Sequence, residues 1–338
     1  MRGCSSMVCL VMTAMIGTCS ADEPAEQGSG KSIPDPATAG RYEVRLESGG
    51  YERVALVHVP RGYDPAKPPA LVVLFHGGGG DPARSLEQDG WSKKADEEGF
   101  VVVAPRGLPA RPRQPADFKT NPQVWNSGQL LRISPRSRID DVAYVGALLD
   151  DLAKRVPHDR KRIFVTGHSN GAAMTFRLAA ELPDRFRAIA PVAGMLAIDN
   201  PRPKHPIPTL YIIGTLDKLQ PVEGGEVTTP WGTRTNPPIS RSLETWARAI
   251  GCEVEPKTLG DTPDLRTVEY PSKSNGPTLR ALYIPGHGHH WPGAKRALPD
   301  SVMGPHTLKL DATDVVWKFF ESQAAEPSKP SAESTSGR

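Results

Sequence analysis

Short, wholly apolar runs recur along the chain, separated by longer amphipathic stretches. Leu71-Val72-Val73-Leu74-Phe75 contains no polar residue, as a strand covered on both faces requires. Residues 100–104, 163–166, 188–192, 210–213 and 281–284 read as further core strands. Residues 42–46 and 54–59 predict an antiparallel opening hairpin. Between these runs the period changes. Over residues 140–155, Val142, Val145, Leu148, Leu149 and Leu152 fall on one helical face. Residues 240–250 set Leu243, Trp246, Ala247 and Ile250 at the same spacing, with Gly251 as the stop. Residues 311–321 predict a closing helix with Val315, Val316, Phe319 and Phe320 turned inward. Strands alternating with helices predict an α/β fold: a mostly parallel central sheet with helices on both faces.

The flanks break this pattern. Arg2 precedes an apolar run from Met7 to Ile16, and small residues follow up to Ala21. That layout predicts a signal peptide over residues 1–21, too short to span a membrane. Ile16-Gly17-Thr18-Cys19 is close to a lipobox, so a lipid anchor on Cys19 is the alternative to cleavage after Ala21. Residues 22–40 and 324–338, rich in Ser, Glu, Pro and Gly, read as a flexible leader and a disordered tail. This leaves one catalytic-sized domain over residues 41–323, secreted or periplasmic. Three of the four cysteines fall in the signal region. Cys252 then stands alone, and the exported domain must rely on its core. Lys and Arg number 41 against 38 Asp and Glu, a net charge of +3 spread along the chain. Without a clustered basic face, nucleic acid is not an expected partner.

Candidate chemistry sits at the ends of the apolar runs. Gly167-His168-Ser169-Asn170-Gly171 lies between the run ending at Thr166 and a helical pattern beginning at Ala172. A serine in a tight strand-to-helix turn with small flanking residues is the layout of an exposed nucleophile, Ser169, at a helix N-terminus. After Phe75 comes His76-Gly77-Gly78-Gly79-Gly80, a loop able to turn its amides toward an oxyanion. The Asn170 amide, with Gly78 or Gly79, is the expected donor pair. The glycines lack the spacing of a phosphate-binding loop.

An acid belongs on the loop after a later strand. Asp217, in Gly214-Thr215-Leu216-Asp217, fits better than Glu223 or Glu226, which lie further out. His287, His289 and His290 follow the last core run, and pattern alone does not choose the base among them. Three histidines so close could suggest a metal, but no HExxH pattern or cysteine partner accompanies them, so neither metal nor cofactor is expected.

Taken together, Val72-Val73-Leu74-Phe75-His76-Gly77, Gly167 to Met174, Gly214 to Asp217 and Gly288-His289-His290-Trp291-Pro292-Gly293 resemble the polyhydroxybutyrate depolymerase/feruloyl esterase family of secreted α/β-hydrolases. The likeness runs from about Tyr42 to Phe320. It implies the α/β-hydrolase fold, a Ser169–Asp217–His289 triad, an acyl-enzyme route and no cofactor. Ester substrates would be polyhydroxyalkanoate-type, feruloyl or acetyl-xylan esters. His76, Trp125, His168, His290 and Trp291 are the expected substrate-binding residues, with Trp125 as an aromatic wall and His290 at the mouth. Trp231 is a candidate substrate contact, and the Pro/Gly/Thr-rich stretch 221–240 that carries it is a candidate lid or specificity loop. The competing readings are a serine peptidase of prolyl-oligopeptidase type, for which the chain lacks room for a propeller, and a non-catalytic binding protein on the same scaffold.

Overall fold

The computed structural model describes residues 31–324 apart from 36, 130–133, 230 and 297. The expected signal peptide, the Cys19 anchor, and the tail beyond Ala324 lie outside the described residues. Of the expected leader, Lys31 accepts a hydrogen bond from the Glu43 amide at 2.9 Å, and Ala37 is buried.

In chain order the strands are β1 (Gly40–Ser48), β2 (Tyr51–Val59), β3 (Leu71–Phe75), β4 (Val101–Pro105), β5 (Leu108–Pro109), β6 (Gln123–Val124), β7 (Ile163–His168), β8 (Ala188–Val192), β9 (Thr209–Gly214), β10 (Gly225–Thr229), β11 (Gly232–Asn236), β12 (Lys257–Asp261), β13 (Arg266–Tyr270) and β14 (Leu279–Ile284). The helices are α1 (Pro82–Gln88), α2 (Trp91–Glu98), α3 (Asp141–Arg155), α4 (Asn170–Glu181), α5 (Ile239–Ala249), α6 (Asp300–Met303) and α7 (Ala312–Ala324). Among the described residues, ten strands form one sheet in the order β1-β2-β4-β3-β7-β8-β9-β14-β13-β12. From β4 to β14 neighbouring strands run parallel; the β1–β2 and β12–β13 hairpins close the edges antiparallel.

The continuous apolar runs follow from this arrangement. Along β3, Leu71, Val73 and Phe75 enter one core, while Val72 and Leu74 enter the other. The first core takes Val145 and Leu148 of α3, Phe176 of α4 and Trp246 of α5. The second takes Leu86 of α1, Trp91 of α2, and Val316 and Phe320 of α7. Both faces are therefore covered, which demands apolar side chains at every position rather than every second one.

Polar alternation hid two elements. β12 is almost wholly exposed, its antiparallel partner β13 alternates exposed positions with buried Val268 and Tyr270, and the stretch after the acid forms the β10–β11 hairpin rather than an irregular loop. Among the described residues, no helix is long and apolar enough to cross a membrane. The register brings the chemical residues together: Phe75 pairs with Gly167, His168 with Val192, Val192 with Ile212, and Gly214 with Ile284. The C-terminal ends of β3, β7, β9 and β14 thus lie level at one sheet edge, where open α/β sheets bind ligands.

Candidate active site

Ser169 links β7 directly to α4, with φ 54° and ψ −116°. A non-glycine residue in such a conformation is strained, and it persists only where its surroundings fix it. The glycines around it supply the space. A Cβ on Gly171 would stand 2.3 Å from the Phe75 carbonyl oxygen, and one on Gly167 2.6 Å from that of Gly171. Gly194, after β8, meets the Ser169 carbonyl in the same way. Sheet, turn and helix are too close for any side chain there.

Asp217 and His289 meet across two loops. Asp217 is 4% exposed and His289 3%. The His289 Nδ1–H donates to Asp217 Oδ2 at 2.7 Å. Asp217 Oδ1 accepts from the amides of Leu219 at 2.9 Å and Gln220 at 2.7 Å. The carboxylate is therefore fixed on both oxygens, and it holds the imidazole in the tautomer that leaves Nε2 as the acceptor. The His289 amide donates to the Met303 carbonyl at 2.6 Å, and that of Leu216 to His287 at 2.8 Å, which ties the two loops together. Ser169 and His289 line one cavity of about 130 Å³ with Gly77, Gly78, His168 and Trp291. Among the described residues no hydrogen bond joins the Ser169 hydroxyl to His289; without a substrate such contacts are often long.

The other two histidines of that loop face elsewhere. His287 contacts Thr307 and the His290 carbonyl, each at 3.1 Å. His290 is buried and donates from Nε2 to the Gly304 carbonyl at 3.1 Å, away from the cavity. The expectation that His290 lies at the mouth is corrected, because the loop turns its ring inward. Burial lowers the affinity of both rings for a proton, to a pKa of about 4 for His287.

Two further expectations change. Trp125 is not a pocket wall: it is fully buried, and its Nε1–H donates to the His76 carbonyl at 3.0 Å. Gly79 is not an oxyanion donor, since its amide is committed to the Gln123 carbonyl at 2.7 Å. Gly78 lines the cavity, and Asn170 opens α4 directly after Ser169. His76 borders the cavity, yet both its ring nitrogens are engaged. Its Nε2 accepts from the Gly107 amide at 2.9 Å, so Nδ1 carries the proton and donates to the Gly77 carbonyl at 2.7 Å. Burial keeps the ring neutral, its pKa pushed down to about 4. His168 also lines the cavity, its ring 4.8 Å from that of His289. Burial, then the closeness of a second ionisable ring at His289, hold it well below the usual imidazole range. Trp291 lines the cavity and donates to Thr313 Oγ1 at 2.9 Å.

Segment 123–127 braces the site, a role the sequence did not reveal. The Trp125 amide donates to Asn170 Oδ1 at 2.7 Å, and Asn170 Nδ2 donates to Ser127 Oγ at 2.9 Å. Behind it, Asp141 accepts from the Asn126 amide at 2.7 Å and from buried Arg53 at 2.8 Å, and it also pairs with buried Arg136. Both donor loops are thereby fastened to one segment anchored on a buried ion cluster. Over the glycine loop lies a pair of aromatic rings. Trp231, at the β10–β11 tip, donates from Nε1 to the Phe118 carbonyl at 2.7 Å, with ring centres 5.5 Å apart. Both rings are more than a third exposed, at 41% and 38%.

A family model described as phospholipase/carboxylesterase matches residues 61–238, more than half of the chain. The chain belongs to this family. Among curated relatives, the esterase-named NocK of Nocardia uniformis subsp. tsuyamanensis is 28% identical over 86% of this chain and 84% of its own length. Feruloyl esterase C of Emericella nidulans is 29% identical over 51% of this chain and 58% of its own. Poly(3-hydroxyalkanoate) depolymerase C of Paucimonas lemoignei is 33% identical over 40% of this chain and 30% of its own. Of solved structures, S-formylglutathione hydrolase from Agrobacterium tumefaciens superposes with a TM-score of 0.54 at 16% identity, covering 84% of this chain and 95% of that one. An acetyl xylan esterase from Aspergillus awamori gives 0.52 at 16% identity, over 82% and 99%. At such identities the structures share the α/β-hydrolase fold with this carboxylesterase-type hydrolase.

Proposed function

We propose that this esterase cleaves carboxylic esters through an acyl-enzyme formed on Ser169. The observation that carries the reading is the Asp217–His289 pair at 2.7 Å, sharing one cavity with a serine in a strained strand-to-helix turn. His289 Nε2 takes the Ser169 proton as the hydroxyl oxygen attacks the ester carbon. The carbonyl oxygen becomes an oxyanion and rests on the amides of Gly78 and Asn170. As the tetrahedral species collapses, the C–O bond to the alcohol breaks, and the alcohol leaves with the proton from His289. Water then loses a proton to His289 and attacks the acyl carbon, and Ser169 departs reprotonated. Asp217 remains ionised throughout and steadies the imidazolium.

The substrate reading is an ester on a polyhydroxyalkanoate oligomer or on plant polysaccharide, met outside the cytoplasm. It rests on the sequence resemblance, on relatives named for such esters, and on the signal-like residues 1–21. The exposed Trp231–Phe118 pair beside the cavity supports a substrate extending beyond its acyl group.

The test is turnover of p-nitrophenyl acetate and butyrate by the purified protein and by Ser169→Ala, with fluorophosphonate labelling of both. The alanine variant is expected to lose at least about 10³-fold in kcat and all labelling. Near-normal turnover by Ser169→Ala would overturn the assignment. A screen across methyl ferulate, acetylated xylan and hydroxybutyrate oligomers ranks the substrate classes.

A further inference from the structure

One ionisable group in the cavity wall has no part in the chemistry above. Asp89 follows α1 directly and lines the same cavity as Ser169 and His289. Its side chain is partly exposed to solvent. Its position is unfavourable for a negative charge in two independent ways. It caps the C-terminal end of a helix, where backbone carbonyls already present partial negative charge. It is also partly shielded from water by the surrounding protein, and desolvation penalises a carboxylate. Burial pushes its pKa up to about 8, although Arg84 and the hydroxyl of Ser85 pull the other way. At neutral pH the group is therefore a carboxylic acid. Ser85 and Asp89 line the cavity together, and a carboxylic acid there has an O–H to give to a bound molecule. A neutral donor suits this cavity, since an ionised carboxylate would oppose the oxyanion that forms on the substrate.

We propose that Asp89 is a substrate-contacting residue whose carboxyl donates a hydrogen bond to a second oxygen of the substrate, a hydroxyl, ether or carbonyl near the scissile ester. It thereby selects oxygen-bearing esters over plain alkyl esters. The charged and titratable groups that share its surroundings are Asp81 and Arg84 beside α1, His76, His168, His289 and Lys295. The inference rests on Ser169 being the nucleophile.

The experiment measures kcat/KM from pH 5.5 to 9 for wild type, Asp89→Asn and Asp89→Leu. The substrates are p-nitrophenyl butyrate, p-nitrophenyl 3-hydroxybutyrate (second oxygen on the acyl side) and an acetylated methyl glycoside (second oxygen on the alcohol side). In wild type at pH 7, one oxygen-bearing ester is preferred over its plain counterpart, and which one locates the contact. Asp89→Leu lowers that preference about tenfold, the loss of one hydrogen bond. Asp89→Asn, which keeps a donor, retains most of it. The wild-type preference falls above pH 8 as the carboxyl ionises, whereas that of Asp89→Asn stays level. The same preference in all three proteins at every pH would overturn the proposal, as would an alkaline fall shared by Asp89→Asn. If Asp89→Leu does not fold, the comparison of Asp89→Asn with wild type across pH decides alone. Fluorophosphonate labelling of wild type and Ser169→Ala runs alongside. Absent labelling of wild type would overturn the nucleophile instead, which separates the two failures.

Discussion

The two oxygens of Asp217 are not equivalent, and this makes its amide variant informative. Oδ1 accepts two backbone amides, and Oδ2 accepts the His289 Nδ1–H. In Asp217→Asn the amide oxygen must stay with the two backbone donors, which leaves its NH2 facing His289. The imidazole then turns Nδ1 into an acceptor and carries its proton on Nε2, where it cannot receive the proton of Ser169. We expect kcat for p-nitrophenyl butyrate to fall by about 10³–10⁴-fold while the circular dichroism spectrum is kept. A fall of less than tenfold would remove Asp217 from the proposed relay. At this scale strand-end position pointed to Ser169 and Asp217 as candidates, whereas the residue pattern left three histidines open and only the family resemblance pointed to His289. Neighbouring residues of a tight loop point in different directions. Only the folded loop sends His289 to Asp217 and turns His287 and His290 to Thr307 and Gly304.

Among the elements, the β10–β11 hairpin leaves the chain just after the acid and returns its tip to the glycine loop. A Cβ on Gly78 would lie 3.5 Å from the Trp231 ring, and one on Gly79 3.1 Å from it. An indole partly in solvent and partly over Gly78 and Gly79 is placed to touch a ring on the substrate. Trp231→Ala is expected to raise KM for methyl ferulate about five- to tenfold more than for p-nitrophenyl acetate, the scale of one aromatic contact. Equal changes for the two esters would mean that the indole only supports the loop. Helices α3, α5 and α7 were legible because each has one apolar stripe against a sheet face. The hairpin was not, because its strands are polar and mostly exposed, and its turn residues read equally well as loop. Segment 123–127 was hidden for another reason: its hold on Gly79, His76 and Asn170 runs through backbone groups, the Trp125 indole N–H and the Asn170 amide, which form no sequence pattern.

Over the whole molecule, His76, His168, His287 and His290 are kept neutral chiefly by burial, each with its pKa lowered. The unfolded chain binds protons at these sites near the ordinary histidine value, before the folded chain does. Their contribution to stability is present above about pH 6.5 and is lost as pH falls toward the folded values. We expect the melting temperature to drop steadily between pH 6.5 and 4, and His76→Gln, which keeps polar atoms beside the Gly107 amide, to flatten that drop. A melting temperature unchanged over this range would show that these rings are not desolvated as described.

The sequence by itself determined the alternation of buried strands and amphipathic helices, and hence the parallel sheet and the strand ends that carry its chemistry. Those features depend on local period and composition, which a chain carries whatever its partners. Tertiary structure alone decided where the rings of His287 and His290 turn, which glycine amide remains free, and that Trp125 braces the site instead of lining it. Each of those outcomes depends on a contact between separate segments of the chain. Hydrogen-bond donors and acceptors acquire a role only when the fold has chosen their partners.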